Sequence, residues 1–181
     1  MPEASFERLV ELACHDLRTP LATVNGFTKT ILRAGELTEI RFVGLIDEAA
    51  AEMAVLVDQV SLAARIAEGR YDPHLVEADT LELAAASGTP ASGEGAPVET
   101  DAETVVQSLT ALAAAAVRFG EGEPVWKVAG RELRLEPVAP SAVEALDGSA
   151  AKDVGALVAR AAIAALGGCV EPDGESLRVR L

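Results

Sequence analysis

CHDLRTPLATVNGF, residues 14 to 27, sits inside a longer run whose apolar residues recur at intervals of three and four: Phe6, Leu9, Val10, Ala13, Leu17, Leu21, Val24, the methyl of Thr28, and Ile31. That spacing gathers them on one side of an α-helix from Glu3 to about Ala34, ended by Gly35. With successive residues about 100° apart, His15 falls almost opposite the centre of the stripe and faces solvent. Arg18 and Thr19 share its face one turn on, and Ala22 and Gly26 keep the next two turns low and flat. That is a surface on which a partner can dock. Pro20 lacks the N–H that would bond the carbonyl of Asp16, which predicts a bend beside the histidine and an exposed acceptor there.

Thr38 is placed to cap a second helix, with a stripe of Phe42, Ile46, Ala49, Met53, Leu56, Val60, Ala63 and Ala67 that runs out at Gly69. The two helices form a hairpin over residues 1–70. Two stripes of this length exceed what one hairpin can cover, so the sequence predicts a homodimer joined as a four-helix bundle. Residues 71–97 carry a short helix, Thr80 to Ala86, followed by a linker-like stretch, SGTPASGEGAP, from Ser87 to Pro97.

Residues 98–181 have a mixed pattern. An alanine-rich helix runs from Ala102 to Phe119, the strands VWKVA and ELRLEPV flank a turn at Gly130 and Arg131, and a loop leads to a helix from about Asp153 to Leu166. Asp173 and Gly174 then mark a closing hairpin. The fold class is therefore α+β: a long helical hairpin followed by a small α/β sandwich of three or four strands.

Half of the 181 residues are hydrophobic, enough for two small cores, and the formal net charge is −14. So acidic a chain, with no basic stripe in its sequence, argues against nucleic acid or an anionic membrane surface as partner. No apolar run approaches the roughly 18 residues of a membrane span, and MPEASFERLV has neither the basic nor the apolar region of a signal peptide. A cytoplasmic protein is expected. Cys14 and Cys169 match no metal-ligand spacing and are expected reduced and partly buried, and His74 beside Pro73 has no second ligand nearby. No metal site is expected in the chain.

An exposed imidazole is close to half neutral at physiological pH, and the neutral form can attack phosphorus or move a proton. An acidic neighbour such as Asp16 can hold one ring nitrogen and leave the other free, although it must reach around the helix to do so. The run HDLRTPL resembles, at all seven positions, the phosphoacceptor motif of sensor histidine kinases. The hairpin ending near ARIAEGR is similar to that family's dimerisation and histidine-phosphotransfer domain. The resemblance implies that His15 is the phosphoacceptor and Asp16 its acid/base partner, and that Thr19 positions water for dephosphorylating a response regulator. Arg18 and Pro20 take supporting roles, and Ala22 and Gly26 lie on the partner-docking face.

The order of elements after the hairpin also resembles the family's ATP-binding domain, and GALVARAAIAALGG looks like its final glycine-containing helix. Gly155 matches one family glycine, whereas Asp153 stands where another is usual. Ala111 and Ala115 fall where the family carries the asparagines that hold magnesium, and Asn25 is the only asparagine in the chain. The D-x-G-x-G segment that receives adenine is absent, and only Ala139 to Lys152 are left for a nucleotide lid. From Tyr71 to Leu181 there are 8 Lys and Arg against 18 Asp and Glu, with no cluster for a triphosphate.

These features together imply a degenerate ATP-binding domain and no cofactor in this chain. The expected function is phosphorelay signalling, in which His15 exchanges a phosphoryl group with the aspartate of response-regulator receiver domains that supply their own Mg²⁺. The chain would then be a histidine phosphotransferase with a kinase-like architecture. Two alternatives stand beside it: an autophosphorylating kinase with a divergent ATP site, and a non-catalytic interaction module, which would have no use for an intact HDLRT.

Overall fold

The computed structural model describes residues 3–34, 40–147 and 152–181. Helices α1 (Glu3–Ala34) and α2 (Ile40–Ala67) form the hairpin. Phe27 and Phe42 stack near its connection, ring centroids 5.1 Å apart, while Leu9, Ala13 and Ala63 are buried together at its open end. The expected stop at Gly35 and cap at Thr38 lie outside the described residues. Helix α1 runs through Pro20 without ending. Among the described residues of the hairpin, the larger apolar side chains Leu21, Val43, Val55 and Val57 stay at least half exposed.

Beyond the hairpin come β1 (Val76–Asp79), α3 (Thr80–Ala86), β2 (Ala91–Gly95), β3 (Pro97–Thr100), α4 (Ala102–Phe119), β4 (Val125–Gly130) and β5 (Glu132–Glu136). They are followed by α5 (Pro140–Leu146), α6 (Val154–Ala165), β6 (Cys169–Asp173) and β7 (Ser176–Arg180). The main sheet has the order β2-β4-β5-β7-β6, parallel between β2 and β4 and antiparallel elsewhere, and β1 pairs with β3 in a separate ribbon. Alternation along β4, β5 and β7 sends Trp126, Val128, Leu133, Leu135, Leu177 and Val179 to one face. There they pack with Leu109 and Leu112 of α4, Leu146 of α5 and Ile163 of α6.

The opposite face aligns Lys127, Arg134 and Arg178 across three strands, a basic row that a linear scan of the sequence does not show. Carboxylates answer two of the three. Arg134 lies 3.1 Å from Glu132 and 3.3 Å from Asp173, and Arg178 pairs with both acids as well. Close pairing with Asp173 raises the Arg178 guanidinium further above its ordinary value.

Two segments differ from the sequence expectation. Ser87 to Pro97 is not a bare linker, because it holds β2, an edge strand of the main sheet. Gly93 hides that strand from propensity and also makes it possible: at φ 128°, a Cβ there would lie 2.0 Å from the carbonyl oxygen of Val128. Thr80, fully buried, ties this edge down by donating to the Gly130 carbonyl at 2.6 Å and accepting from the Ala96 N–H at 3.0 Å. The loop expected from Ala139 to Lys152 contains α5, a seven-residue helix with Pro140 in its first turn and no side-chain cap. The sheet thus has five strands rather than three or four.

Asp101 fastens the start of this unit. It caps α4 by accepting from the Thr104 N–H at 3.1 Å, and it also accepts from the Tyr71 hydroxyl at 3.0 Å and the His74 N–H at 3.3 Å. At the other end, Arg160 donates to the Leu146 carbonyl at 3.1 Å, and its burial lowers the guanidinium from its ordinary value. The two parts meet through α6, whose Val154 and Val158 are buried against Leu9 and Ala13 of α1 and Ala63 of α2. Among the described residues, no helix is long and apolar enough to cross a membrane.

Candidate functional site

His15 stands out from α1 with 74% of its side chain exposed. Its Nδ1 lies 3.1 Å from Oδ1 of Asp16, although consecutive helical side chains diverge by about 100°. The carboxylate does reach around the helix. With the proton on Nδ1, the ring donates to Asp16 and Nε2 carries a free lone pair toward solvent. Any positive charge that develops on the ring then faces a carboxylate.

Arg18, Thr19, Ala22 and Gly26 are all exposed, as their helical positions require, and the face they share with His15 is unencumbered. Pro20 is buried. The Thr19 carbonyl, one turn past the histidine, accepts from the Thr23 hydroxyl at 3.1 Å. Cys169 is half-buried as expected, but Cys14 is exposed rather than partly buried, because it lies beside His15 on the solvent side of the helix; it is free and diverges from His15.

Asp16, Thr19 and Pro20 also line a cleft of about 900 Å³ between the hairpin and the C-terminal unit. Its hairpin wall includes Glu52, Val55, Asp58, Gln59 and Leu62, and its far wall includes Gln107, Thr110, Ala111, Ala114 and Arg118 of α4, with Lys152 to Gly155. The sequence did not single out Arg118, Lys152 or Gln59, because nothing in their local pattern marks them. Ala115 is not on this wall: it is 1% exposed, in the core, so only Ala111 of the two alanines faces the cleft.

Arg118 donates to Asp153 at 3.0 Å and Lys152 to Glu144 at 2.6 Å, so both cations are engaged. The one side-chain amide that α4 contributes, Gln107, donates to Glu103 at 3.2 Å. Among the described residues, no group of three or more His, Cys, Asp or Glu side chains is placed to hold a metal ion. Asp153 has a structural task on this wall. Only 5% exposed, it accepts from the Ala156 N–H at 2.8 Å, caps α6 and holds Arg118.

A long helical hairpin that presents a histidine beside a carboxylate is joined to a mixed sheet covered by helices on one face. The chain has the fold of histidine kinases. It is similar to Acinetobacter baumannii histidine kinase AdeS at TM-score 0.70 and 17% identity, over 92% of this chain and 96% of that one. It is also similar to full-length ShkA in complex with AMPPNP, at TM-score 0.53 and 20% identity, covering 96% of this chain but 44% of ShkA. No protein-family model matches the sequence, and no curated protein matches it significantly.

Proposed function

We propose that the chain is a two-component signalling protein that carries a phosphoryl group on His15, taking it from the aspartate of one receiver domain and delivering it to another. The observation that carries this function is the exposed His15 ring held by Asp16 at 3.1 Å. In the uptake step, the Nε2 lone pair attacks phosphorus and the P–O bond to the receiver's aspartate breaks. The electron pair returns to that carboxylate, and the phosphoimidazolium keeps its Nδ1 proton against Asp16. Delivery is the reverse, with Mg²⁺ on the receiver neutralising the transferring group.

Thr19, one turn along the same face, is suited to orient a water for hydrolysis of the receiver's phosphate, and Arg18 and Pro20 support that face. Ala22 and Gly26 leave room for the receiver. The half-exposed Leu21 and Val57 favour a homodimer, in which two hairpins cover each other's apolar remainder. The engaged cations of the cleft and Ala111 on its α4 wall favour transfer between receivers over phosphorylation from ATP.

The test compares two phosphoryl sources on the purified chain. Receiver domains charged with phosphoramidate are expected to label it, and MgATP is expected neither to label it nor to give saturable heat in calorimetry. Labelling by ATP alone would make it an autophosphorylating kinase, and labelling by neither source would make it an interaction module.

A further inference from the structure

The first turn of α6 is where three helices of different origin meet. A Cβ built on Gly155 would lie 3.2 Å from Ala111 Cβ on α4, from Gln59 Nε2 on α2 and from Asp153 Oδ1. The Ala111 methyl is fixed to its helix and cannot turn aside. Beside this glycine, Val154 and Val158 are 2% and 3% exposed against the hairpin, and Asp153 joins the same turn to Arg118 of α4. Leu9 and Ala13, which receive the valines, lie within two turns of His15 on one continuous helix.

We infer that this turn seats the C-terminal unit on the hairpin in one orientation, and that Gly155 is a positioning residue for transfer at His15. By lacking a side chain, it lets α6 approach α2 and α4 closely enough to hold the α4 wall beside Asp16 and Thr19. The inference rests on the phosphotransfer function proposed above. A receiver that presents its aspartate to His15 meets α1 and this wall together, so the seat governs how the receiver docks, while the histidine's own reactivity depends on Asp16.

The test uses the full chain with Gly155→Leu, a wedge at the three-helix junction. Emission from Trp126, the sole tryptophan and fully buried, reports whether the C-terminal core stays folded. Val154→Ser is made in parallel, since it loosens the seat from the hairpin side without entering the C-terminal core. The receiver concentration at half-maximal rate is expected to rise about tenfold with the maximal rate kept within about twofold. Amide hydrogen exchange at Leu9 to Ala13 is expected to quicken about tenfold as well.

Unchanged half-saturation in a variant with native Trp126 emission overturns the inference, as does a fall in maximal rate alone. If the wild type accepts no label from any receiver, the phosphotransfer function fails and the positioning role with it. The exchange measurement would still show whether α6 holds the hairpin.

Discussion

Helices α1 and α4 are both long and amphipathic, and both line the cleft, yet they leave opposite kinds of surface outside their packing. The free face of α1 carries the polar side chains of His15, Asp16, Arg18 and Thr19. The free face of α4 carries Thr110, Ala114, a glutamine bonded to Glu103 and Arg118 paired with Asp153, while Ala113, Ala115 and Ala116 are buried under the sheet. The proposed transfer chemistry therefore rests on the hairpin. The helices of the C-terminal unit pack against its sheet, and α6 packs against the hairpin as well.

The largest expected effect breaks the α1 side of this comparison. His15→Ala should abolish phosphoryl uptake from a charged receiver, and His74→Ala should leave it intact. Because the ring is exposed and its partner Asp16 is also solvent-accessible, stability should change by no more than about 0.5 kcal/mol. Acid-labile label surviving in His15→Ala would falsify the assignment of the acceptor. Next in size, Asp16→Asn keeps the ring but removes the charge that faces it. Uptake should slow by about 10²–10⁴-fold in single-turnover assays, and an unchanged rate would mean the 3.1 Å contact has no part in transfer.

A core substitution sharpens the contrast from the other side. Leu133→Ala, in a fully buried position on the central strand β5, should lower stability by about 2–5 kcal/mol in urea unfolding followed by Trp126 emission. While the variant is still folded, receiver uptake at saturation should be close to wild type, since Leu133 touches neither the histidine nor the cleft. A parallel loss of both properties would show that the C-terminal core takes part in the chemistry.

The hairpin was legible because its pattern is local. Leu9, Ala13, Ala49 and Ala63 fall on the apolar stripes that periodicity picks out, and all four are buried. The exposure of His15 follows from the same periodicity. What escaped the sequence depends on partners far along the chain. Strand β2 exists because β4 accepts it, and its Ala-Ser-Gly-Glu-Gly has no strand propensity of its own. Helix α5 is too short to show a period. The cleft and the α6 seat bring together residues from α1, α2, α4 and α6, and no local spacing announces that Asp153 reaches Arg118, 35 residues away.

The smallest effect lies at the join of the two regions and is read through pH. Burial pushes the Asp101 carboxyl upward, but hydrogen bonds from the Thr104 N–H, the Tyr71 hydroxyl and the His74 N–H outweigh it, and the group sits below its ordinary value of 3.8. Tyr71 is shifted the other way, raised first by burial and also by the Asp101 charge, so its hydroxyl stays a donor through neutral pH. A carboxyl with a depressed folded pKa contributes stability above its unfolded value and loses it as pH falls through the folded one. Asp101→Asn can still accept from Thr104 but gives up the second carboxylate oxygen that serves Tyr71 and His74. The variant should be less stable than wild type by about 0.5–1.5 kcal/mol at neutral pH in urea unfolding. The difference should narrow as the medium is acidified below the ordinary carboxylate range, because the wild-type group is then protonated and loses the same interactions. A gap that stays constant into strong acid would assign the cost to the shape of the α4 cap alone, and one that widens would reverse the sign of the shift.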